Sequence, residues 1–380
     1  MKIAHWVYHL IRGGTEGQCA RCAIGLAARG WEQRVVVFRR AGHFVEPVEA
    51  ACGPVREVPI RHLLRPSTVA EILRLARWLR SEKIDLLHTW DADAAIFGSV
   101  AARLAGIPLV TSRRDLGAIY PPWKQRMLDR ADRQAVKVVV NAQAIHDHFA
   151  ARGLPDAKME LIPNTLPLPG EQDPAPRPSD DAWIRRLPPG RRLAVVNRLD
   201  PEKNTGLLVE ALPLVRKEIP DATLVVVGDG PERPALEARA AALGLGPDAV
   251  AFLGDLDRVP ALLPLCTLGA LVPTSNEGTS NTLLEYMAAG LPAMATDCGG
   301  NAELLGRAGE RGVLLSAAPS PEEAASAWIA LLRNAGRARG IGAAAKAFVL
   351  ARHAPGTVLD RWEAFYRPLL CIERHGEGGV

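Results

Sequence analysis

The chain has 380 residues, of which 48% are hydrophobic and 23% charged, with a formal net charge of +4. Those values suit a globular enzyme and exclude a largely disordered chain, and at roughly 150 residues per domain the length points to two domains. No window approaches the roughly 20 apolar residues a membrane-spanning helix needs, and six cysteines without framework spacing exclude a disulfide scaffold.

The opening segment MKIAHWVYHLI reads as a buried strand over 2–8 and not as a secretory leader: His5 and His9 interrupt it, and no small-residue cleavage pattern follows Arg12. Gly13-Gly14 then permits close backbone approach. Thr15 to Gln18 has capping-box spacing and opens a helix whose apolar stripe is Cys19, Cys22, Ala23 and Leu26, closed by Gly30. Cys19 and Cys22 have no second pair to complete a zinc site, so they belong to that stripe. Further strands are expected at 33–38, 84–88, 107–111, 136–140 and 159–162. After the first of these, Thr68-x-x-Glu71 again has capping-box spacing, with Ile72, Leu75, Ala76 and Leu79 on one face and Arg74, Arg77 and Ser81 on another. Arg56, Arg61, His62 and Arg65 precede it in a loop that also offers Leu63 and Leu64. Residues 1–163 carry 24 Lys and Arg against 16 Asp and Glu, whereas the remainder carries 22 against 26. Residues 56–80 are therefore a candidate contact for an anionic membrane surface or a phosphorylated lipid acceptor, the alternative being an ordinary amphipathic helix packed on the sheet with its arginines solvated.

Residues 164–190 are rich in proline and acidic side chains without apolar periodicity, and read as a connection. Strands resume near 193–197, 222–228, 249–253, 267–272, 292–296 and 312–315, with helical patterns between. This alternation predicts an α/β chain of two doubly wound Rossmann-like domains, 1–163 and 191–352, with ligands outside the carboxyl ends of the strands and hence in a central cleft. The segment 353–371 places Trp362, Phe365, Tyr366 and Leu369 at helical spacing and is expected to pack back on the first domain.

Two stretches carry chemistry. In PTSNEGTSNTLLEYMAAGLP, Pro273 to Pro292, a loop of small residues feeds a helix near Thr282, which suits a phosphate at a helix N-terminus. Glu277 in that loop and Glu285 one turn into the helix are placed to grip sugar hydroxyls; Thr282-x-x-Glu285 is also a capping box, a purely structural alternative. In the second stretch, strand 193–197 leads at once into Arg198 and then Lys203 near a helix start. Cations there oppose the helix dipole, so an anion between them, such as a diphosphate, accounts for both. Gly228-Asp229-Gly230 allows close approach at another strand end.

The series GGTE, NRLDPEKN, VVVGDGP, FLG, EGTSNTLLEYMAAGLP and CGGNAEL resembles the retaining glycosyltransferases of family 4, which have the GT-B fold. That resemblance implies a nucleotide-sugar donor as substrate, no cofactor and no catalytic metal. It implies that Arg198 and Lys203 bind the donor diphosphate, that Glu277 contacts the transferred sugar and that Glu285 holds the ribose. Gly278, Thr279, Ser280, Asn281, Thr282 and Leu283 would supply backbone N–H groups to the phosphate, with Gly14 approaching from the first domain. The sequence departs from many members after Ile107-Pro108, where Arg113-Arg114-Asp115 stands in place of a histidine. His88, Arg113 and Arg114 are accordingly the acceptor-side candidates. Asn164-Thr165 stands where members often have Asn-Gly. The expected activity is transfer to a sugar or lipid-linked acceptor hydroxyl in cell-envelope synthesis, without nucleic acid. The expected place is the cytoplasm, with peripheral contact at the inner face of the membrane. A sugar-nucleotide epimerase of the same fold and a non-catalytic sugar-nucleotide binder are the alternatives; the short chain disfavours a glycogen-synthase-like enzyme.

Overall fold

The computed structural model describes residues 1–60, 65–168, 171, 182–256, 259–275 and 277–371. The chain divides into one unit of Met1–Leu168 joined by the chain from His353 onward, and a second of Pro169–Arg352.

The first unit holds β1 (Lys2–Val7), β2 (Glu32–Val37), β3 (Arg56–Glu57), β4 (Leu86–Thr89), β5 (Leu109–Arg113), β6 (Lys137–Val140) and β7 (Met159–Leu161). They form one parallel sheet in the order β3-β2-β1-β4-β5-β6-β7. The two-residue β3 lay outside the expected strands, being too short to show a period. Val, Leu and Ile fill both faces of the sheet. Helix Gly14–Ala27 covers one with the closing helix Pro355–Cys371, and Pro66–Ser81 and Ala92–Ala105 cover the other. Val358, Leu359, Trp362, Phe365 and Tyr366 are all buried in the core of this unit, and Arg29 Nη1 donates to Asp360 at 2.7 Å. Cys19 and Cys22 are buried in the same core, and burial pushes both thiols far up, which leaves them unreactive.

The second unit holds β8 (Arg191–Val196), β9 (Ala222–Val227), β10 (Val250–Gly254), β11 (Leu268–Leu271), β12 (Ala293–Thr296) and β13 (Val313–Leu315). These too are all parallel, in the order β10-β9-β8-β11-β12-β13. Each sheet therefore reverses its winding once, between β1 and β4 in the first and between β8 and β11 in the second. Loops leave in opposite directions at those points and open a crevice at the strands' carboxyl ends.

Three local expectations change. Helix Gly14–Ala27 starts after Gly13 with no side-chain cap; Gln18 spends its amide instead on Thr165, donating to the carbonyl at 2.9 Å and accepting the N–H at 2.8 Å. Helix Pro66–Ser81 begins with proline in its first turn after Arg65, so Thr68 is a buried first-turn residue and not a cap. Residues Asn164–Leu166 are buried parts of the first unit, Leu166 N donating to His353 O at 2.8 Å, while Trp183 and Leu187 pack in the second. The connection is thus shorter than the proline-rich composition suggests. Arg61, His62, Leu63 and Leu64 lie outside the described residues.

Candidate functional site

In the second unit the reversal point brings together the segments after β8 and β11. The turn after β8 is held down by two glycines of the β9 exit. A Cβ on Gly228 (φ +116°) would stand 2.9 Å from the Asn197 carbonyl carbon, and one on Gly230 (φ +159°) 2.7 Å from that of Leu199. Their close approach thus serves this chain's own backbone and fixes Arg198 between the two contacts. Arg198 is 78% exposed in its side chain, and its Nε donates to Asp200 Oδ2 at 2.7 Å. Lys203 ends a 3-10 turn, Pro201–Lys203, that Asn204 closes in a left-handed conformation (φ +52°). Its Nζ donates to Glu277 Oε1 at 2.5 Å, and the Thr274 N–H donates to Glu202 O at 2.9 Å, so the loops after β8 and β11 are joined twice. Arg198 and Lys203 thus each stand beside a carboxylate.

Helix Asn281–Ala288 follows the β11 loop, and its cap is Ser280, whose hydroxyl accepts the Leu283 N–H at 3.3 Å. This replaces the capping box expected from Thr282 to Glu285, and it occupies one of the backbone donors expected for a phosphate. Thr282 Oγ1 donates to Val196 O at 3.0 Å, and the Tyr286 hydroxyl accepts the Val196 N–H at 2.9 Å. Residues 282 and 286 share a helix face. They therefore grip both backbone groups of the residue two before Arg198. Gly278 and Thr279 are buried, and Asn281 and Glu285 are half-buried, in the loop and first turns of the same helix. The Gly278 carbonyl accepts the Gly300 N–H at 3.1 Å.

In the first unit the reversal point gathers the segments after β1 and β4. Gly14 is the first residue of its helix, and Glu16 folds back beside Gly13 with an oxygen 3.3 Å from His9 Nδ1. Asp91 caps helix Ala92–Ala105 by accepting the Ala94 N–H at 2.9 Å, and burial pushes its carboxyl up to about 7. Burial also raises Asp115, although it accepts the Gly117 N–H at 2.7 Å.

The acceptor-side candidates fare differently. His88 is fully buried, with Nδ1 2.6 Å from the Tyr366 hydroxyl and Nε2 2.8 Å from Ser112 Oγ, stacked on Trp90 at 4.5 Å between ring centres. Both ring nitrogens are occupied and burial holds the imidazole neutral, so it is a core histidine and offers an acceptor nothing. Arg113 is likewise buried: its Nε donates to Asp132 Oδ2 at 2.7 Å and its guanidinium lies 4.9 Å from the Phe149 ring centre. Arg114 lies over Trp90 at 4.5 Å, donates to Asn164 Oδ1 at 2.7 Å, and is drawn down to about 10 by burial.

Asp200, Tyr286, Asp91 and Gly299 were not singled out in the sequence. Asp200 stands two residues from Arg198 in NRLD, and Tyr286 one turn beyond Thr282, so helix and turn spacing around the motifs carried their signal. Asp91 before an alanine-rich helix had the signature of an N-cap.

A family model described as Glycosyltransferase Family 4 matches residues 12–168, and one described as Glycosyl transferases group 1 matches 190–334. A GDP-mannose-dependent alpha-(1-6)-phosphatidylinositol monomannoside mannosyltransferase of Mycobacterium tuberculosis is 29% identical, with 94% of this chain and 95% of that protein covered. A 2-deoxystreptamine N-acetyl-D-glucosaminyltransferase of Streptomyces fradiae is 28% identical over 97% of this chain and 93% of its own. Among solved structures, Anabaena Alr3699/HepE in complex with UDP-glucose superposes with a TM-score of 0.83 at 23% identity, covering 97% of this chain and all of that one.

Proposed function

We propose, on the premise that this chain belongs to glycosyltransferase family 4, that it transfers a sugar with retention of configuration from a nucleoside-diphosphate sugar to a hydroxyl of a membrane glycolipid. Glycosyltransferase activity and the GT-B fold come with that membership. The observation that carries the donor half is the Lys203–Glu277 pair at 2.5 Å, with Arg198 earlier in the same loop after β8, at the reversal point of the second sheet. The intact donor's diphosphate carries two negative charges, as Glu277 and Asp200 do together, but it presents them to Lys203 and Arg198 through several oxygens at once, and the departing nucleoside diphosphate carries one more. The donor's arrival draws both cations to itself and frees Glu277 to orient the sugar, while Glu285 takes the ribose hydroxyls. As the sugar–phosphate bond breaks, the departing phosphate accepts the proton of the acceptor hydroxyl, which attacks from the same face. Arg198 and Lys203 stabilise the charge left on the diphosphate, and they accelerate the step only as far as they hold it more tightly than the intact donor. Their two positive charges support a metal-independent reaction; undiminished turnover in EDTA is the expected result.

A lipid acceptor is supported by the glycolipid named for the mycobacterial relative and by one face of the first unit. Helix Pro66–Ser81 exposes Val69, Leu73, Arg74 and Arg77, and the adjoining Ala92–Ala105 exposes Val100, Arg103 and Leu104. The two helices are tied by Arg80 Nε donating to Ala105 O at 3.2 Å. Each arginine would contribute about 1 kcal/mol near an anionic surface. No helix among the described residues is long and apolar enough to cross a membrane. Binding to anionic and not neutral vesicles, lost in high salt and in an Arg74/Arg77/Arg103→Glu variant, would support peripheral contact; equal binding by wild type and variant would remove it. The donor assignment is tested with a panel of UDP- and GDP-sugars by thermal shift and turnover. Folded Arg198→Ala and Lys203→Ala variants should each lose most turnover, and wild-type rates in both would refute the diphosphate site.

A further inference from the structure

Glu277 is held from a side that the donor-binding residues do not explain. The end of β12 and the turn that follows it, 296–300, are pressed on the β11 loop at three points. Thr296 Oγ1, fully buried, donates to Pro273 O at 2.7 Å. Burial raises the Cys298 thiol, and the Glu277 backbone beside it draws it back down. The Gly300 N–H donates to Gly278 O at 3.1 Å. Between the last two lies Gly299, left-handed at φ +55°, where a Cβ would stand 2.6 Å from the Glu277 carbonyl carbon and 3.2 Å from the Glu277 Cβ, the atom that carries the carboxylate arm. The turn is itself fixed from below, since Asn301 Nδ2, fully buried, donates to Thr296 O at 3.1 Å. None of these hydrogen bonds is made to Arg198 or Lys203, although the Lys203 charge is near enough to draw the Cys298 thiol down.

We infer that Cys298 and Gly299 are positioning residues for Glu277: they set where its carboxylate stands over the transferred sugar, and take no part in holding the nucleotide. The inference rests on the reading of Glu277 as the sugar-contacting carboxylate. Any side chain at 299 must push the Glu277 backbone outward, and a displacement of about 1 Å at a reacting centre is enough to cost on the order of 100-fold in rate. The thiol is a compact polar group beside that backbone, a role a serine hydroxyl also fills and a valine does not.

The test separates sugar handling from nucleotide binding. Calorimetric titration with UDP and GDP measures the diphosphate site alone, and release of nucleoside diphosphate from the panel donor that turns over measures kcat and KM. Gly299→Ala should lose about 100-fold in kcat while diphosphate Kd stays within about threefold. Gly244→Ala is the control for backbone strain: Gly244 is also left-handed (φ +70°) but has open space around its Cβ position, so this variant should melt lower yet keep wild-type kcat. If Gly299→Ala does not fold, Cys298→Val carries the test, with kcat expected to fall about tenfold and to be restored by Cys298→Ser. Wild-type kcat in a folded Gly299→Ala or Cys298→Val protein overturns the inference, as does loss of UDP and GDP binding in parallel with activity. Glu277→Gln keeps the two levels apart. If it is inactive while the turn variants are not, only the positioning role fails; if it retains wild-type kcat, the sugar-contact reading fails and this inference with it.

Discussion

Replacing Tyr286 with phenylalanine tests how the two chemical motifs are joined. Tyr286 has no solvent exposure, and its ring lies against Gly269, where a Cβ would come within 2.7 Å of the Tyr286 Cγ. Its hydroxyl accepts the Val196 N–H at 2.9 Å and lies 3.2 Å from Ala194 O, to which it donates. The pairing of β11 with β8 ends at Ala270 opposite Val195, so Val196 has no strand partner on that side and Tyr286 replaces one. Phenylalanine keeps the ring; the main effect is one N–H without a partner, about 1–3 kcal/mol, while the Ala194 carbonyl also loses the hydroxyl's donation. At 1.4 kcal/mol per factor of ten, local opening of β8 should become about 5- to 150-fold more frequent. Native-state amide exchange reads this at Val196 itself and is insensitive to the first unit, which a global melt is not. Thr282→Val, which frees the Val196 carbonyl, should cost less, because a carbonyl keeps a second lone pair for other partners. Since Arg198 lies two residues on, diphosphate affinity should fall in Tyr286→Phe, though by less than in Arg198→Ala. Unchanged exchange at Val196 with unchanged affinity would refute the idea that helix Asn281–Ala288 sets the Arg198 turn.

Three other outcomes follow from the same contacts. Burial lowers His5 to about 4 and holds His88 well below its ordinary value, so the folded chain refuses protons that the unfolded chain accepts near 6.5. Stability is therefore complete above about pH 6.5 and lost as pH falls toward 4, by about 3 kcal/mol from His5 alone, and a denaturant midpoint that does not move across that window would contradict it. Glu285→Gln should weaken donor binding without lowering the melting temperature, because Ser280 and not Glu285 caps its helix; unchanged affinity would return Glu285 to the protein surface. Trp362→Ala removes a ring that is 3% exposed and stacked on Tyr366 at 5.4 Å, and should cost about 3–5 kcal/mol in the first unit; a loss below about 1 kcal/mol would show that the closing helix is not part of that core.

The sequence by itself determined the architecture, because both sheets are buried on two faces. Strands such as VVV at 35–37 and LVVV at 224–227 must be apolar throughout, and the helices between them must show a single apolar stripe, so alternation is written into composition at every step. It also marked Arg198, Lys203 and Glu277, since charges beside small-residue loops at strand ends have few structural reasons to be there. What it left open was the use of polar groups with several potential partners. Thr15, Thr68 and Thr282 all have capping-box spacing, yet none caps its helix: the first helix opens at Gly13, the second carries proline in its first turn, and Thr282 is drawn to the Val196 carbonyl brought near by β8. His88 is an isolated histidine in the sequence and becomes a core residue only because the closing helix delivers Tyr366 from 278 positions away. The Lys203–Glu277 pair spans 74 residues and the clasp of Gly299 on Glu277 joins two different strand exits. Periodicity reports on one segment at a time, whereas a hydrogen bond or a close approach is decided by which other segment the sheet order sets beside it. The order β8-β11-β12 was fixed only when the whole sheet assembled, and with it the position of the carboxylate on which the proposed chemistry turns.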